Sequence, residues 1–161
     1  MSLTPLGTFH TAVSVLAVIL AFVALFKDRK ISPLTGFGRA YLVALWITTL
    51  TGFPIFRHGT IGPPHILGAV TVGVLLLAAI AGKTRVFGRA AAYVETLCYS
   101  STVFFLMIPA FTETLTRLPV EAPIAASPEA PLLQAINLVL VGLLLAGASV
   151  QVRGLRRSRL G

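Results

Sequence analysis

His10, His58 and His65 are the side chains in this sequence best suited to hold a metal ion, a haem or a proton. His10 opens the apolar run HTAVSVLAVIL, His65 opens HILGAVTVGVL, and His58 closes the segment PIFRH. Imidazole is a standard axial ligand of haem iron and a common ligand of zinc and copper. Two readings follow for a cofactor: haem b held between helices by His10 and His65 with His58 nearby, or a transition metal bound by His10, His58, His65 and Glu113. No H-x-x-x-H pair on one helix supports a metal, so spacing alone does not choose. A third reading is structural: interfacial histidines that cap helix ends, which suits His65 behind Pro63 and Pro64.

A second constellation lies in AAYVETLCYSSTVFF, where Glu95, Cys98, Tyr99 and Thr102 fall on one helical face. At 1.5 Å per residue Glu95 lies about 9 Å beyond Arg89, which places it within hydrocarbon if the segment spans a bilayer. An acidic group there costs about 2.5–3.5 kcal/mol on insertion scales, so a functional role is the default expectation. Trp46 and Thr49 are expected at similar depth as hydrogen-bonding partners. The stripe reads either as a proton relay or polar pocket, or as a protonated acid that joins helices by hydrogen bonds. Cys98, the single cysteine, excludes an internal disulfide and reads as a packing residue.

These residues need elements to carry them, and composition says what kind. The 161 residues are 56% hydrophobic and 11% charged, with a mean hydropathy of +0.90, whereas soluble domains carry about 25% charged residues. The bilayer is therefore the expected solvent and main partner. Five segments, 9–26, 40–56, 66–82, 90–111 and 132–152, are apolar enough to span it as helices. No segment alternates apolar and polar residues as a barrel strand would.

Charge fixes the expected orientation. Of the 13 basic residues, 11 fall between spans one and two, between spans three and four, or after span five; only Arg57 and Arg117 fall on the other side. The positive-inside rule then puts the amino terminus outside and the basic tail 153–161 in the cytoplasm of a bacterial inner membrane. The net charge of +8 reflects topology and attraction to anionic headgroups, not nucleic-acid binding. The first span lacks a basic n-region and reads as a retained anchor.

The tetrapeptide FGRA occurs at 37–40 and again at 87–90. Around both copies the order is histidine, apolar span, lysine, FGRA, apolar span, Pro-x-Phe. This predicts an all-α bundle of two tandem parallel hairpins, 9–58 and 65–113, plus an extra helix at 132–152. Duplication would pair His10 with His65 at one depth on the outer side, facing into the bundle with His58 and near Glu113. Pro54 and Pro109 are expected to kink their helices there. The segment 112–131 reads as a cap, with Glu113 and Arg117 spaced for an ion pair.

The stretch FHTAVSVLAVILAFVALFKD, with GFGRAYLVALWITTLTGF and PPHILGAV, resembles a family of small bacterial polytopic membrane proteins of unknown function. The features carrying the resemblance fall on His10, on Gly38-Arg39-Ala40-Tyr41 and on His65. A looser likeness to four-helix b-type cytochromes rests on His10 and His65 and implies at most one bis-histidine haem. Three functions stay open: a redox or metal-binding protein at the histidines, a small proton-coupled transporter using Glu95, and a non-catalytic subunit of a homo-oligomer or larger membrane complex.

Overall fold

A computed structural model describes residues 4–55 and 61–160. His58 and Arg57 lie outside the described residues. The chain is all-α, with no strand among the described residues, and folds as α1 (Pro5–Asp28), α2 (Gly36–Gly52), α3 (Pro63–Lys83), α4 (Ala91–Leu115) and α5 (Pro131–Leu160). Four helical runs are long and apolar enough to cross a membrane: Pro5–Asp28, Pro63–Lys83, Gly88–Leu115 and Pro131–Ser158. The protein is therefore a multi-pass membrane protein in its composition and architecture. Helix α2 has 17 residues and is about 25 Å long at 1.5 Å per residue, short of the ~30 Å hydrocarbon core.

Local signals set these boundaries. Thr4 caps α1 by accepting a hydrogen bond from the Gly7 amide at 3.1 Å, and Pro5 occupies the first turn, where its missing N–H costs nothing. Arg29 ends α1 in a left-handed conformation with φ 60°. Thr35 caps α2 through the Gly38 amide at 3.2 Å. That cap starts α2 four residues before the expected 40 and lets it end at Gly52, so Pro54 follows the helix and does not kink it. Pro109, by contrast, lies within α4.

Helix α1 packs on α2, α3 packs on α4, and α5 rests on α4; α2 meets α3, and α1 touches α4. The face of α1 turned inward is Ala17, Ala21 and Ala24, all fully buried. Small residues allow close backbone approach where lipid offers no hydrophobic drive for association. Leu45, Leu75, Val103 and Leu106 fill the centre with Tyr41 and Tyr99.

The two FGRA copies adopt different structures. Gly38 is helical and buried, and an added Cβ would run into the Ser32 backbone carbonyl and come within 2.7 Å of Thr35 Oγ1. Gly88 opens a single 3-10 turn, Gly88–Ala90, has φ +46°, and has open space where a Cβ would point. One glycine is required by proximity and the other by backbone conformation.

Candidate functional site

The carboxy-terminal end of α2 collects much of the polar chemistry among the described residues. His10, two turns into α1, places Nδ1 3.1 Å from Thr51 Oγ1. The Thr51 hydroxyl already donates to the carbonyls of Ile47 (2.8 Å) and Thr48 (3.1 Å). Its oxygen is therefore the acceptor, and His10 Nδ1 carries the proton. The Thr48 backbone also lies within hydrogen-bond reach of the ring. This assigns the neutral Nδ1–H tautomer, which leaves Nε2 with its lone pair and no hydrogen bond among the described residues. Gly52 makes room for the ring, since a Cβ there would sit 3.2 Å from His10 Cε1.

His65 does something else. The Gly62 amide donates to its Nδ1 at 3.2 Å, so the proton sits on Nε2, which donates to the Phe53 carbonyl at 3.2 Å. One bond closes the start of α3 and the other caps the end of α2. His10 and His65 thus grip three consecutive residues, Thr51, Gly52 and Phe53, from opposite sides. Their hydrogen bonds call for opposite tautomers and different roles. Axial ligation by His65 would require breaking its bond to Phe53.

Glu113 pairs with Arg117 across one turn at the end of α4 and is close enough to His10 to act on it electrostatically. Thr48 Oγ1 and Arg117 Nε are buried without a hydrogen-bond partner among the described residues. The loop after α4 folds back over this end: the Ala125 amide donates to Leu115 O at 2.8 Å and the Ile124 amide to Leu118 O at 3.2 Å. No group of three or more His, Cys, Asp or Glu side chains converges among the described residues. The two best-formed depressions are apolar grooves of about 300 Å³ between α4 and α5 and about 610 Å³ between α1 and α2.

The stripe on α4 divides into two parts. Thr102 Oγ1 donates to Tyr99 O at 2.6 Å and accepts from Tyr41 Oη at 2.8 Å, joining α2 to α4 in the buried centre. Cys98 and Trp46 pack, partly buried, against the apolar core. The second FGRA is a 3-10 turn, so α4 begins only at Ala91, and Glu95 stands about 6 Å above that start. Its carboxyl lies over Gly82, the next-to-last residue of α3, where an added Cβ would fall 2.5 Å from Oε1. Helical side chains lean toward the N-terminus, which here is the basic end of the helix. Glu95 thus packs against the end of α3, about two helical turns before Thr102 of the Tyr41–Thr102 bridge. Leu45, Leu75 and Leu106, each less than a tenth exposed, belong to the apolar core that Tyr99 shares.

Sequence reasoning passed over Thr48, Thr51 and Gly52 at the outer site. Their signal was the polar run TTLTG inside an otherwise apolar segment. In comparisons with known proteins, no family model, no curated protein and no solved structure matches the chain.

Proposed function

We propose that this protein is a small proton-linked carrier of the bacterial inner membrane, with its outward-facing site centred on His10. All five helices cross the bilayer as two tandem hairpins plus α5, amino terminus outside and basic tail in the cytoplasm. The observation that carries the reading is the setting of His10: Nδ1 stands 3.1 Å from Thr51 Oγ1, whose hydroxyl donates to Ile47 O, and Nε2 has no hydrogen bond among the described residues. Beside it lie the Glu113–Arg117 pair and the unpartnered Thr48 hydroxyl. An imidazole so placed takes up a proton from the outside, and the neighbouring hydroxyl and ion pair offer hydrogen bonds to a small polar solute. The Leu45, Leu75 and Leu106 layer seals the site from below, as alternating access requires. Glu95, at the basic end, is not the coupling group in this reading.

The test is proton flux into proteoliposomes loaded with a pH-reporting dye, driven by an imposed potential. His10→Ala should abolish the flux and Thr51→Val should reduce it, while Glu95→Gln leaves it intact. Flux unchanged in a folded His10→Ala protein, or lost only in Glu95→Gln, would refute the reading. A second reading keeps haem b or a transition metal at His10, because a ligating histidine commonly donates its other ring N–H to a neighbouring oxygen, as Nδ1 can to Thr51 Oγ1 here. It predicts a Soret band or bound metal in purified protein that disappears in His10→Ala.

A further inference from the structure

The groove between α1 and α2 holds about 610 Å³, and the His10 site does not use it. Gly36, Ala40 and Ala44 of α2 line it with little side chain to fill it, and open space lies where a Cβ on Gly36 would point. Leu16, Val43 and Ile47 stand exposed along it, and the lining is apolar except at Arg39. The charge sits at one end. Arg39 lies in the first turn of α2, whereas Phe9, also in the lining, adjoins His10, which meets Thr51 in the last turn of α2. Arg39 and Thr51 are about 18 Å apart along the helix at 1.5 Å per residue. The Arg39 side chain is exposed and has no hydrogen bond or ion pair among the described residues. Lys27 brings a second cation to this end. It lies about five turns along α1 from Phe9, on the same face, and its Nζ stands 4.9 Å from the centre of the Phe37 ring in the first turn of α2. An occupant that suits this groove is apolar for most of its length and anionic at the basic end.

We propose that this groove holds one anionic glycerophospholipid from the leaflet at the basic end, with an acyl chain along the trough and the phosphate against Arg39. A guanidinium fork matches two phosphate oxygens, and basic pockets between membrane helices take anionic headgroups. The bilayer itself supplies this ligand in abundance. A second copy of the chain suits the groove less well. Two copies inserted in the same direction and related by a two-fold axis share an isologous interface, so Arg39 and Lys27 of both would meet at one level and repel. The basic tail attracts any anionic surface, whereas Arg39 at the mouth of an apolar trough selects charge and chain together.

The test is thermal unfolding of the full-length protein in an uncharged detergent, with phosphatidylglycerol, phosphatidylcholine or inorganic phosphate added. Phosphatidylglycerol should raise the midpoint by about 2–4 °C more than phosphatidylcholine, which corresponds to about fivefold tighter binding in a chain of this length. Inorganic phosphate should give no rise. Arg39→Gln should lose the difference between the lipids, and so should Ala40→Leu, which fills the trough and keeps every charge, while Arg156→Gln should retain it. Native mass spectrometry counts the lipid directly, with one retained per chain in the wild type and none in Arg39→Gln, whether or not Ala40→Leu folds. Equal rises with both lipids, a full rise from inorganic phosphate alone, or a difference lost equally in Arg156→Gln and Arg39→Gln overturns the proposal. So does a dimer that Ala40→Leu dissociates with no response to lipid, which would put a second copy in the groove. None of these readouts involves proton flux, so they stand apart from the role of His10.

Discussion

Substituting the two FGRA glycines separates proximity from backbone conformation. In Gly38→Ala the new methyl meets the Ser32 backbone, including its amide nitrogen at 2.8 Å, and the Thr35 cap at 2.7 Å. Backbone cannot rotate aside, so α2 must shift. Overpacking of this kind costs about 1–3 kcal/mol, weakening the Thr35 cap costs about 1 kcal/mol, and alanine returns about 1 kcal/mol of helix propensity. The net is about 2 kcal/mol, or about 4–8 °C in the unfolding midpoint for a chain of this length. Gly88→Ala meets no atom but forces alanine to φ +46°, at about 1–2 kcal/mol. The diagnostic pair is asparagine, which tolerates left-handed backbone: Gly88→Asn should recover much of the loss, whereas Gly38→Asn should be at least as damaging as Gly38→Ala. The assay is circular dichroism during heating in detergent. Matching behaviour of the two positions across alanine and asparagine would refute the assignment of different roles.

Other substitutions test the remaining contacts. Thr102→Val strands the fully buried Tyr41 hydroxyl and should cost about 1–3 kcal/mol, Tyr41→Phe should cost less than about 1 kcal/mol because Thr102 keeps Tyr99 O, and the double variant should be more stable than Thr102→Val alone; a double variant worse than either would count against the bridge. Gly82→Ala should shift the midpoint less than Gly38→Ala, since the obstacle at 2.5 Å is the movable end of Glu95; a larger shift would mean the carboxyl is locked in place. His65→Ala removes two caps and should destabilise by about 1–2 kcal/mol without altering proton flux, and a loss of flux in a folded protein would restore His65 to the working site.

The helical, multi-pass character of the chain was legible from composition alone, because lipid admits few other solutions for apolar segments of this length. Boundaries were less legible: α2 begins four residues early because Thr35 caps it through Gly38, a local capping contact that hydropathy does not register. The two FGRA copies, identical in residues, took different conformations, one helical and one a 3-10 turn. The roles of the two histidines depended on which hydroxyl or amide stood opposite each ring nitrogen. That information belongs to the packing of α1 and α3 on Thr51–Phe53 and is absent from spacing.

Imidazole tautomers offer the sharpest measurement. Nitrogen-15 spectra of histidine-labelled protein in a bilayer, assigned with His10→Ala, His58→Ala and His65→Ala, report which ring nitrogen carries the proton. The account predicts His10 protonated at Nδ1, with an Nε2 that responds to pH on the outer side, and His65 protonated at Nε2. A His10 ring protonated at Nε2 and insensitive to external pH would contradict it.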